Sequence, residues 1–278
     1  MPELPEVETV ANGVHARVAG QRILRVWTSG KPQTFKTPES EIAEALTGST
    51  IESVRRVGKT IVMTVRRKQR TVEFLIHLGM TGRLLVSDPE VPIPPHTHAI
   101  LSLADGREVR FVDPRRFGRL SVYKALTTEN REPTTTYTGP GREPLTIPPD
   151  DFVALFRNRK TPIKAALLNQ SLLHGVGNIY ADESLFRAGI RPRRQAGRLT
   201  GDELLRLRKA LIDVLRHAIK LGGSSVSDYV DADGVRGFFQ LQHKVYMRGG
   251  EPCLVCKTPI KRTTLAGRGT HFCPNCQQ

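Results

Sequence analysis

All four cysteines of this 278-residue chain lie beyond position 252, in the order Cys253-x2-Cys256-x16-Cys273-x2-Cys276. Each Cys-x2-Cys pair sets two thiolates on one side of a tight knuckle. Two knuckles complete a tetrahedral sulfur site for one zinc ion (Zn2+). Four protein ligands leave no open position for water, so a metal held there is structural. An iron–sulfur or redox site, or four unrelated buried thiols, are the competing readings of the same spacing. Between the knuckles lie Lys257, Lys261, Arg262 and Arg268 and no acidic residue. A metal-pinned β-hairpin of that charge suits a polyanion.

The whole chain carries the same bias. Lys and Arg number 42 against 27 Asp and Glu, a formal charge of +15. Each cation placed on a phosphate releases condensed counterions, so nucleic acid is the expected partner. No stretch reaches the roughly 18 apolar residues of a membrane span. The N-terminus carries Glu3, Glu6 and Glu8 where a signal peptide would be basic and then apolar. These features predict a cytoplasmic protein without a membrane partner.

The period of the apolar residues divides the rest. Val7, Val10, Ala11, Val14 and Val18 share one face of a helix over 5–18, with Pro5 suited to its first turn. The period then drops to two, and short strands are predicted at 22–28, 50–57, 60–65, 71–76, 83–86, 99–103, 108–112 and 119–123. So many short strands in so few residues predict a β-sandwich or barrel. A Thr-, Pro- and Gly-rich stretch at 127–149 reads as a linker. Helices are predicted beyond it at 151–158, 162–173, 178–188 and 201–221, the last opened by a capping box of Thr200 and Glu203. The expected layout is a domain at 1–126, the linker, a helical domain at 150–246 and a zinc finger at 247–278.

The opening Met1-Pro2-Glu3-Leu4-Pro5-Glu6 also carries chemistry. A small second residue permits removal of the initiator methionine, which frees the secondary amine of Pro2. An α-amine titrates near a pKa of about 8, so part of it is neutral at pH 7. The positive end of the following helix disfavours the protonated form further. Glu3 stands beside it as a proton source. Taken alone, Pro2 and Pro5 are better read as ordinary helix starters.

Five blocks then resemble the formamidopyrimidine-DNA glycosylase family (Fpg, or MutM): MPELPEVET at the start, HLGMTG at 77–82, DPRRFG at 113–118, GVGNIYADESLF at 175–186, and the cysteine-bearing end. The resemblance implies an α+β protein with an N-terminal β-sandwich flanked by helices, a helix–two-turn–helix domain and a zinc-finger β-hairpin. It implies a bifunctional glycosylase and abasic-site lyase of base excision repair. Such an enzyme acts on double-stranded DNA holding an oxidised purine (8-oxoguanine, a formamidopyrimidine) or an abasic site, as a bacterial, nucleoid-associated monomer. By the matched motifs Pro2 forms the Schiff base and Glu3 donates the proton for glycosidic cleavage. Glu6 lines the same pocket, Lys59 assists β-elimination and Arg268 assists δ-elimination. His96, Arg115, Lys160 and Asn178 bind DNA, while Met80 and Phe117 fill the gap left by a flipped nucleotide. The segment 222–246 falls where relatives carry a loop that caps the lesion. Two alternatives remain: an endonuclease VIII-like enzyme for oxidised pyrimidines, and a zinc-ribbon DNA-binding protein without catalysis.

The charge yields a first test. Affinity for duplex DNA should fall on the order of a thousandfold between 50 and 200 mM salt. An affinity insensitive to salt would remove phosphate contacts as its basis.

Overall fold

The computed structural model describes residues 1–124, 136–225 and 229–278. Residues 127–135 of the expected linker and 226–228 of the expected capping segment lie outside the described residues. The chain forms two compact units. One is Met1–Thr138 with Gly222–Gly237, the other Gly139–Leu221 with Phe238–Gln278.

The first unit opens with helix α1 (Leu4–Val18), whose Val7, Val10, Ala11, Val14 and Val18 are all buried. Strands β1 (Ile23–Thr28), β6 (Thr97–Leu103), β7 (Glu108–Val112) and β5 (Arg83–Ser87) form one antiparallel sheet in that spatial order. Strands β2 (Thr50–Val57), β3 (Thr60–Arg67), β4 (Arg70–His77) and β8 (Arg119–Lys124) form a second. Ile61, Met63, Phe74 and Ile76 of the second sheet share one apolar core with Leu101, Val109 and Phe111 of the first, and α1 packs into it. All eight strands read from the period-two pattern are present, with ends shifted by two residues or fewer.

Helix α2 (Glu39–Leu46) was not anticipated. Its signal is one short apolar stripe of Ile42, Ala45 and Leu46, set among Glu39, Glu41 and Glu44.

The second unit contains α3 (Pro149–Phe156), α4 (Ile163–Leu167), α5 (Asn178–Ala188), α6 (Gly201–Lys220) and the hairpin β9 (Lys261–Leu265) with β10 (Arg268–Phe272). The helix expected over 162–173 is a single short helix that stops at Leu167. Polar side chains end it by taking backbone groups that a longer helix would need. Gln170 Nε2 donates to Leu168 O and Val176 O, and Asn169 Oδ1 accepts from Ser171 N. At α6 the capping box is as expected: Glu203 N donates to Thr200 Oγ1 at 3.2 Å and Thr200 N to Glu203 Oε2 at 2.8 Å. Among the described residues no helix is long and apolar enough to cross a membrane.

The turn after β4 presses on the turn before β8. A Cβ on Gly79, at φ +65°, would lie 2.5 Å from both Gly118 N and Phe117 C. Gly79→Ala should therefore cost about 2 kcal/mol or more, read as a lowered thermal midpoint. An unchanged midpoint would mean that the two turns are not in contact.

Candidate functional site

Pro2 is buried at the start of α1, while Met1 before it is 52% exposed. With Met1 attached, the nitrogen of Pro2 is an amide and has no lone pair to give. Glu3 and Glu6 are both buried beside it. Glu6 Oε2 accepts from the backbone N–H of Glu3 at 2.8 Å, and Glu6 Oε1 from that of Ser224 at 2.7 Å. One carboxylate thus joins the peptide next to Pro2 to a segment more than two hundred residues later. Tyr229 Oη donates to Glu6 O at 3.3 Å. Burial, and then the charge of Glu6, push the Tyr229 pKa up, which keeps the phenol a donor. Gly223, at φ +82°, lies so close that a Cβ there would sit 2.9 Å from Glu6 Cγ.

Lys59 follows Gly58 (φ +60°) in the turn between β2 and β3. The next residue, Thr60, pairs with His77, which in turn pairs with Arg119 across the sheet. Burial, then Lys59, then Arg119 hold the His77 pKa below its ordinary value. The neutral ring accepts from Gly79 N through Nδ1 at 3.1 Å.

Met80, Arg115 and Phe117 occupy the two touching turns, and the contact is made by Asp113. Its Oδ1 accepts from Thr81 Oγ1 at 2.6 Å and its Oδ2 from Gly118 N at 2.7 Å. Thr81 Oγ1 then accepts from Arg115 N at 3.3 Å. The buried carboxylate leaves three side chains outside: Met80 is 40% exposed, Phe117 46%, and the Arg115 guanidinium lies 4.7 Å from the centre of the Phe117 ring. An apolar residue of that size normally goes inside, so two on adjacent turns call for a ligand. His96, at φ +66°, is exposed immediately before β6, and its carbonyl accepts from Asp113 N. Sequence reasoning singles out Arg115 and Phe117 but gives no role to Asp113, His77 or Tyr229. Asp113 and His77 each head one of the quoted blocks, Ser224 falls in the expected capping segment, and Tyr229 has no signal of its own.

The second unit holds the remaining candidates. Asn178 is the first residue of α5 and not its cap, since Gly177 occupies the cap position with no side-chain bond to the helix. Asn178 Nδ2 donates to Gly269 O at 2.9 Å, which places it beside the strand that Arg268 begins. Arg268 is exposed. Lys160 is exposed between α3 and α4, and no hydrogen bond or ion pair joins it to Asn178 or Arg268 among the described residues.

The sulfur atoms of Cys253, Cys256, Cys273 and Cys276 all lie within 4.8 Å of one another, with Cys256 to Cys273 at 3.4 Å and Cys253 to Cys276 at 3.9 Å. Zinc–sulfur bonds of about 2.3 Å put tetrahedral sulfurs about 3.8 Å apart, so the four fit one zinc ion. Backbone amides of Val255 and Cys276 point at Cys253 Sγ and Cys273 Sγ. Hydrogen bonds, led by Thr258, hold the Cys256 thiol down to about 5. Phe186 of α5, Val245 and Ile260 close an apolar layer over the cluster.

Three family descriptions match the chain in order. They are the formamidopyrimidine-DNA glycosylase N-terminal domain over residues 1–120, its H2TH domain over 140–230, and a zinc finger found in FPG and IleRS over 250–278. The formamidopyrimidine-DNA glycosylases of Solibacter usitatus and Acidiphilium cryptum are 44% and 42% identical to it, each aligned over the full length of both chains. Among solved structures, the MutM (Fpg) protein of Thermus thermophilus is 41% identical with a TM-score of 0.84, covering 99% of this chain and 98% of its own. Lactococcus lactis Fpg in complex with abasic-site DNA is 33% identical with a TM-score of 0.87, covering 99% of each chain. The same Lactococcus lactis protein bound to DNA with an oxidised pyrimidine is 32% identical with a TM-score of 0.86, over the whole of both chains.

The metal centre can be tested directly. Cys256→Ser should release zinc to a chromogenic chelator and lower the thermal midpoint, because metal affinity is folding energy in a small finger. Stoichiometric zinc in this variant would refute the four-thiolate site.

Proposed function

Because the chain belongs to the formamidopyrimidine-DNA glycosylase family, we propose that it excises oxidised purines from duplex DNA and then cuts the strand, with the freed amine of Pro2 as nucleophile. The observation that carries this reading is the buried start of α1. Pro2 is buried there, the peptide N–H that follows it donates to the Glu6 carboxylate, and that carboxylate also accepts from the backbone N–H of Ser224.

The chemistry follows from a secondary amine at that place. The nitrogen lone pair attacks C1′ of the flipped nucleotide, and the bond from C1′ to the base breaks with its electron pair leaving on the base, which takes up a proton. Glu3 gives a proton to the ring oxygen, the sugar opens, and C1′ becomes an iminium carbon on Pro2. That cation acidifies C2′. Loss of its proton forms the C2′–C3′ double bond and expels the 3′ phosphate, with Lys59 beside the leaving group. Loss of the C4′ proton then expels the 5′ phosphate, whose charge Arg268 offsets. Water hydrolyses the iminium and restores Pro2.

Met80, Arg115 and Phe117 would occupy the gap, with the planar donors of Arg115 on the unpaired partner base. His96, Lys160 and Asn178 would bind phosphates. The single zinc would hold the hairpin that presents Arg268. We place the enzyme on chromosomal DNA in the bacterial cytoplasm. A second reading, excision of oxidised pyrimidines, is favoured by the Lactococcus lactis Fpg complex with such DNA.

Borohydride trapping tests both. Protein beginning at Pro2, mixed with an 8-oxoguanine duplex and reductant, should give a covalent adduct, whereas protein retaining Met1 should give none. Tight lesion binding without an adduct from the processed chain would overturn the enzymatic reading. A faster adduct on 5-hydroxycytosine than on 8-oxoguanine would exchange the purine reading for the pyrimidine one.

A further inference from the structure

We infer that Lys164 and Asp182 are positioning residues for Arg268: their buried ion pair fixes the backbone of the strand that presents the arginine, and so sets how far strand cleavage proceeds. This rests on Arg268 serving the second elimination, as proposed above.

Lys164 lies on α4 and is fully buried, as is Asp182 on α5. Lys164 Nζ is 2.7 Å from Asp182 Oδ1, and it donates to Gly269 O at 2.8 Å and to Thr270 Oγ1 at 2.9 Å. Asp182 Oδ2 accepts from His271 N at 2.9 Å and lies 3.3 Å from His271 Nδ1. Asn178, one turn earlier on the same face of α5, gives Gly269 O its second donor. Thr270 Oγ1 in turn donates to Arg268 O at 3.1 Å. Four consecutive residues, Arg268 to His271, are therefore each tied down.

The ties fall at the end of the strand away from the cysteine cluster, which follows β10 at Cys273. Among the described residues β10 pairs only with β9, and a two-stranded hairpin alone is marginal in water. On its N-terminal side Arg268 follows a tight turn with Ala266 at φ +48° and Gly267 at φ +71°. The Arg268 side chain itself is exposed and has no hydrogen-bond or ion-pair partner among the described residues. Its aim is set by its backbone.

A buried ion pair is a poor way to add stability, because desolvation offsets most of the Coulomb attraction. An apolar pair of the same volume would fill the space equally well. What it could not supply is an ammonium directed at Gly269 O and Thr270 Oγ1. The cluster thus fits a role in geometry better than one in folding. In the step concerned the C4′–H bond breaks, its electron pair moves through the conjugated iminium system, and the C5′–O bond breaks with the pair leaving on phosphate. Charge develops on that phosphate late in the reaction, so the step is sensitive to a displaced guanidinium. The attack of Pro2 at C1′ is not.

The paired variant Lys164→Met with Asp182→Asn should be assayed on an abasic duplex, separating the 3′-unsaturated aldehyde from the 3′-phosphate on a denaturing gel. Zinc content and borohydride trapping should stay within about twofold of the parent, while the yield of 3′-phosphate falls about tenfold or more. Arg268→Gln should lose the same product, and combining it with the pair should add nothing. Parent-like partition in the paired variant, beside a loss in Arg268→Gln, would overturn the positioning role. Retention of 3′-phosphate by Arg268→Gln would instead overturn the reading of Arg268. Should the paired variant not fold, Thr270→Val keeps the ion pair but removes the brace on Arg268 O. Parent-like partition there would equally overturn the proposal.

Discussion

The carboxylate of Asp113, out of contact with water, is satisfied by one hydroxyl and one amide drawn from two different turns. A buried carboxylate left unpaired is costly, so the turns cannot part without exposing or orphaning it. Much of the DNA-facing surface proposed for the first unit depends on that constraint. It fixes the hydroxyl that holds the backbone of Arg115, brings Gly79 against Phe117, and leaves Met80 and Phe117 facing solvent. Side chains proposed to enter a duplex need a rigid base and an exposed tip, and a buried acid at their root meets both needs.

Glu6 does comparable work at the start of α1. Its two oxygens hold backbone amides from the helix start and from Ser224, while its carbonyl holds the phenol of Tyr229. Arg17 of the same helix pairs with Asp233, and Ser225 Oγ bridges Tyr229 O to Gly237 N. The far segment is thus fastened along one side of α1. Asp113, Glu6 and Asp182 share a design, in which one buried carboxylate joins a backbone amide to a second group far away in sequence. In each case the residue expected to meet DNA is a neighbour of the acid.

Most of the fold was legible because burial follows short-range periods. α1 shows its stripe at helical spacing, the strands alternate between core and surface, and Thr200 with Glu203 marks the start of α6. The pattern misled where local polar chemistry overrode it. Leu167, Leu168, Leu172 and Leu173 continue an apolar period, but Asn169 and Gln170 capture backbone groups and turn the chain. α2 was missed because eight residues give too few repeats for a period to stand out. The site divides in the same way. Four cysteines announce themselves by spacing, and Pro2, Glu3 and Lys59 emerge from blocks that resemble a family. Asp113, Ser224 and Lys164 owe their importance to partners that no local window contains.

The first compact unit is interrupted: its last piece, Gly222–Gly237, follows more than eighty residues of the second. A chain is made from its N-terminus, so the start of α1 leaves the ribosome long before Ser224 exists to meet Glu6. The methionine covering Pro2 is open to removal throughout that interval. On the role proposed for Pro2, its amine would be uncovered early, and the setting that holds the neighbouring Glu6 carboxylate is completed late. Any polypeptide that stops short of residue 222 therefore lacks the clamp on Glu6, and under the proposed chemistry a Pro2 freed in it would be a nucleophile ahead of its active site.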